Sequence, residues 1–113
     1  MTDRELLELA AKAAGYKIAW EGGCVTGWMT GGSWWNPLTD DGDALRLATD
    51  LGLDVYPIAR TATGQACSAV GTSSRGRLAE IVDPSSTRAA TRRAIVRAAA
   101  EIQRAKENND AAR

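Results

Sequence analysis

The chain has 113 residues, 44% of them hydrophobic and 25% charged, with no histidine and a formal net charge of zero, the make-up of one ordinary globular domain able to bury a core without disulfide or metal staples. No apolar run approaches the roughly 18 residues of a membrane span, and Met1 to Arg4 lack a basic segment leading into an apolar one, so a cytoplasmic protein without a leader is expected. Neutral overall charge and a pI near 6.2 supply too little attraction for a nucleic-acid duplex.

Thr2-Asp3-Arg4-Glu5 has the form of a capping box, and Leu6, Leu9, Ala10 and Ala13 recur at helical spacing up to Gly15, which predicts a short amphipathic helix. Residues 16–20 alternate as a strand, Glu21-Gly22-Gly23 breaks it, and residues 24–29 read as a second, weaker strand. Gly31-Gly32-Ser33 then opens an aromatic loop, Trp34-Trp35-Asn36-Pro37. A second helix is predicted after Pro37, capped by Thr39 or Asp40, with Ala44, Leu45, Leu47, Ala48 and Leu51 as its apolar stripe and Gly52 as its stop.

Residues 54–60, 65–72 and 77–82 read as three strands separated by breaks short enough for hairpins, an antiparallel meander in which Pro57 calls for an edge position or a bulge. The last helix is expected from Asp83, with Pro84 in its first turn, to about Lys106. Its stripe of Thr91, Ala94, Ile95, Ala98 and Ile102 packs on the sheet, and Arg88, Arg92, Arg93 and Arg97 form a solvated face. The expected architecture is a single α+β sandwich over residues 1–107, a mostly antiparallel sheet of about four or five strands packed between helices, with residues 108–113 as a polar tail.

Chemistry is sparse. Without histidine the usual general base is missing, Cys24 and Cys67 have no CxxC spacing and no activating neighbour, and the pattern points away from an enzyme and from a disulfide. Neither GxGxxG nor a glycine followed by Lys-Ser/Thr occurs, so no nucleotide cofactor is expected. Asp40-Asp41-Gly42-Asp43 presents carboxylates where both helix capping and a divalent cation would want them; capping is the expected use, and no metal is assigned. Residues 1–56 carry a net −5 and residues 57–113 a net +5, nine of the ten bases in the second half being arginine. Either the two halves interleave and neutralise one another, or the arginines offer a basic surface to a phosphate.

Indoles placed in a Gly, Thr and Ser background need a partner surface, and Trp28, Trp34 and Trp35 cluster in one. Adjacent side chains of an extended segment point to opposite sides, so one of Trp34 and Trp35 is expected in the core and the other at a pocket or interface. Asn36 either reads a base edge or makes a turn before Pro37. Arginines from the Arg75-Gly76-Arg77 turn, or Arg60, are expected to reach the anionic groups of a ligand lying on the indoles. The expected ligand site is thus Trp28, Trp34, Trp35, Asn36, Arg60, Arg75 and Arg77.

Two segments carry a resemblance. Trp35-Asn36-Pro37-Leu38, continuing through Asp40 and Gly42-Asp43-Ala44-Leu45-Arg46-Leu47, and Asp83-Pro84 followed by Ala89, Thr91-Arg92-Arg93-Ala94-Ile95-Val96-Arg97 and Ala98-Ala99-Ala100-Glu101-Ile102, resemble a family of small phage proteins described as the phage ABA sandwich domain. The resemblance implies a sheet flanked by helices and a phage or prophage origin, and no agreed activity. By analogy with unrelated small phage proteins, the expected function is a non-enzymatic sponge that binds and sequesters a small anionic nucleotide-type ligand, such as a cyclic-nucleotide signal of anti-phage defence. The alternative is an interaction module that sets the Trp-rich loop against a host or phage protein. Opposed charges in the two halves and an alanine-rich last helix favour a homo-oligomer.

Overall fold

In the computed structural model, which describes residues 2–20, 27–29, 33–58, 66–72, 76–83 and 86–111, the capping box closes as the sequence predicts. The Thr2 hydroxyl accepts the Glu5 amide at 3.2 Å and the Glu5 carboxylate accepts the Thr2 amide at 3.4 Å, starting helix α1 (Asp3–Ala14). Gly15 ends it in the left-handed conformation, φ 76°, which costs glycine no Cβ clash. Helix α2 (Asp41–Leu51) is capped by Asp40, whose carboxylate accepts the Asp43 amide at 2.8 Å, and stops at Gly52.

Helix α3 (Thr87–Ala111) departs from expectation at both ends. Asp83 belongs to the preceding strand, paired with Ala66, so the helix begins later, with the Ser86 hydroxyl accepting the Ala89 amide at 3.2 Å; Pro84 lies outside the described residues. At the other end the helix runs on through residues 108–111, which sequence reads as tail.

Six strands are described, in two sheets. Strands β1 (Ile18–Ala19), β2 (Gly27–Met29) and β3 (Ser33–Trp35) form a small antiparallel sheet, so half of the expected aromatic loop is a strand. Strands β4 (Asp54–Ile58), β5 (Ala66–Thr72) and β6 (Gly76–Asp83) form the predicted antiparallel meander. Pro57 takes the edge alternative, on β4. The ladder irregularity falls instead between Val70 and Gly71: Val70 pairs with Ala79 and Gly71 with Arg77, leaving Leu78 as the extra residue.

Alternation along the meander separates its two faces. Val55, Val70 and Ala79 lie opposite one another and enter the core, while Tyr56, Ala69 and Glu80 line up on the other face. Helix α3 packs against all three strands, and α1 and α2 pack on α3. The class is α+β, with the layers ordered sheet, α3, then α1 and α2. Wedged in this way, α3 buries Ala90, Ala94, Val96, Ala98, Ala99 and Ala100 completely. Three consecutive buried alanines cover well over half the helix circumference, so the small side chains that sequence offered to a second copy are consumed by close packing within the chain.

Candidate functional site

Strand β3 divides the tryptophan pair as alternation requires. Trp35 is 1% exposed and Trp34 60% exposed. The Trp35 ring meets Tyr16 edge-on, centroids 5.8 Å apart, and the Tyr16 hydroxyl donates to Asp50; burial first, and then this hydrogen bond, push the Tyr16 pKa up. Trp35 is therefore a core residue, too buried to face a ligand. Trp28 is the register partner of Trp34 in the sheet.

Asn36 is buried and makes the turn. Its side-chain oxygen accepts the Leu38 amide at 3.0 Å, its carbonyl accepts the amides of Thr39 and Asp40, and its own amide donates to Asp43 Oδ2 at 3.0 Å. The acidic run is likewise occupied with structure. Asp40 caps α2, Asp41 pairs with Arg92 at 2.6 Å, and Asp43, only 7% exposed, takes Asn36 on one oxygen and Arg46 on the other at 2.5 Å. That bond raises the Arg46 pKa further. Each carboxylate already has a partner of its own, and no group of three or more metal-ligating side chains occurs among the described residues.

Beside Trp34 lies a hollow of about 320 Å³ lined by Asn36, Thr39, Asp40, Asp43 and Arg46. Its one guanidinium is already held by the buried Asp43, so it has no cation to spare for an anion. Of the arginines expected there, Arg60 and Arg75 lie outside the described residues. Arg77 stands elsewhere, at the start of β6. The indole and the described arginine of the expected site thus line separate hollows.

The second hollow, about 660 Å³, opens on the face of the meander turned away from α3. Tyr56, 61% exposed, and Arg77 stand over it, with Asp54 and Thr72 at its edge and the strand segment Ala69, Val70, Gly71 as its floor. Arg77 is tied to Glu80 at 2.7 Å, both side chains being well exposed. Gly71 admits no side chain: a Cβ there would lie 2.2 Å from the Gly76 carbonyl oxygen. Tyr56 is absent from the expected site; the signal that could have placed it is its position next to the core-packed Val55 on an alternating strand.

Two arginines of α3 join the halves of the chain. Arg92 donates to the Leu38 carbonyl at 2.8 Å as well as to Asp41, and Arg93 reaches Asp3 at 3.1 Å. Opposed charges therefore interleave within the fold. No described helix is long and apolar enough to cross a membrane. In comparisons with known proteins, no protein-family model, no curated protein and no solved structure matches this chain.

Proposed function

We propose that this is a non-enzymatic binding protein that holds a small anionic molecule with a flat ring, of nucleotide type, on the face of the β4, β5, β6 sheet turned away from α3. The phage origin implied by the family resemblance, and a role in sequestering a defence signal, belong to the same proposal. The observation that carries it is the convergence of an exposed Tyr56 ring and the Arg77 guanidinium over one hollow of about 660 Å³, within the size range of small-molecule sites. An aromatic face is worth about 1–3 kcal/mol per stacked base. A guanidinium matches a phosphate with two parallel hydrogen bonds. The competing partner, Glu80, is itself exposed, and exposed pairs of this kind contribute only about 0.2–1 kcal/mol, so an incoming phosphate can displace it.

A thermal-shift screen against nucleotides and cyclic dinucleotides tests the reading, because a ligand bound only by the native state raises the melting temperature. A stabilising ligand is expected whose shift is lost in Tyr56→Ala and in Arg77→Ala and kept in Trp34→Ala. Loss of the shift in Trp34→Ala alone overturns the location. A second reading, an interaction module, draws on the 60% exposure of Trp34. It is favoured if no small molecule stabilises the chain and a defined protein partner releases Trp34→Ala but not Tyr56→Ala.

A further inference from the structure

A third depression, about 320 Å³, runs between α2, β4 and α3, away from both hollows described above. Its trough is apolar, formed by Ala44 of α2, Val55 of β4 and Ile95 of α3. Leu45 stands at its rim with 66% of its surface exposed, an unusual position for a leucine flanked by the buried Ala44. Arg88 and Asp41 also line it. Arg88 is exposed and has no ion-pair partner among the described residues. Asp41 gives one oxygen, Oδ1, to Arg92, and its side chain is still 62% exposed, leaving the second oxygen to a donor from outside.

We infer that this groove is a self-association surface whose occupant is the same groove of a second copy of the chain. Knob and trough, base and acid are all present on one patch. A contact with two-fold symmetry uses each of them twice: Leu45 of either copy enters the trough of the other, and Arg88 of either copy meets Asp41 of the other. A partner of different sequence would satisfy this patch only by supplying both complements itself. The inference is independent of the ligand site, which lies on the opposite face of β4, and of the α3 alanines, which are buried within the chain.

Light scattering across a dilution series in low salt tests it. The expected result is a species of twice the 12.0 kDa chain mass that dissociates on dilution and more readily in salt. Leu45→Asp and Arg88→Asp should each raise the dissociation constant about tenfold or more. Arg88→Lys, which keeps the charge, should stay close to the parent. Circular dichroism of each variant should match the parent, because Leu45 and Arg88 are exposed. A monomeric mass at every concentration overturns the inference. So does a dimer that neither Leu45→Asp nor Arg88→Asp weakens, or a loss in Arg88→Lys as large as that in Arg88→Asp.

Discussion

The Trp34 hollow and the Tyr56 hollow contain the same two ingredients, an exposed ring and an arginine, and differ in what holds the arginine. Arg46 is gripped by Asp43, a carboxylate 7% exposed that also anchors the Asn36 amide; moving the guanidinium onto a ligand would strand a buried charge, which is strongly unfavourable. Arg77 is held by Glu80, a carboxylate open to water that loses little when released. A cation's availability to a ligand is set by how buried its partner is, more than by its own exposure. For the same reason the richer aromatic cluster of the sequence is the poorer anion site.

The sharpest way to break the contrast is at the tryptophans. Trp35→Ala should destabilise the fold by about 3–5 kcal/mol through loss of a buried ring and the cavity it leaves, whereas Trp34→Ala should change stability by no more than about 0.5 kcal/mol. Urea unfolding midpoints separate the two outcomes. Equal losses would show that Trp34 is held by the core after all.

The carboxylates come next. Asp43→Ala should cost about 1–3 kcal/mol, since it leaves the Asn36 amide without its acceptor in a buried turn, while Glu80→Ala should cost no more than about 1 kcal/mol. Glu80→Gln should also tighten binding of any anion found on Arg77, a gain with no counterpart when Asp43 is changed to Asn. Calorimetric titration of the two variants would show it. A smaller effect is expected at the cap beside the Trp34 hollow, where Asp40→Ala should remove about 0.5–2 kcal/mol, measured by the same urea midpoints.

The smallest effect concerns pH. Tyr16 holds its proton more tightly folded than unfolded, through burial and its bond to Asp50. Its contribution is fully present below the unfolded tyrosine value of about 10 and is lost as pH rises above that, because the unfolded chain ionises first. The stability difference between the parent and Tyr16→Phe should therefore shrink above about pH 10 and stay level below it. A difference that grows with pH would reverse the assignment.

Much of this molecule was legible residue by residue. The Thr2 and Glu5 box, the Asp40 cap and the Gly15 and Gly52 stops depend on contacts within a few residues, so local spacing dictated them, and the three meander strands were marked by apolar runs and the short breaks between them. The opposite fates of Trp34 and Trp35 also followed from alternation alone, although alternation could not say which ring would be inside. Long-range pairing decided the rest. Asp83 became strand because Ala66 lies across from it, and of the arginines expected on a solvated face of α3, Arg88 and Arg97 stay exposed while Arg92 and Arg93 are partly covered and paired where α1 and α2 pack on the helix. The partners of the arginines were equally out of reach of local pattern, since Arg92 finds Asp41 and Arg93 finds Asp3 only once the helices are side by side. Tertiary structure therefore decided which rings and cations still face outward, because burial and charge pairing are properties of surfaces brought together by the fold, and spacing along the chain carries no record of them.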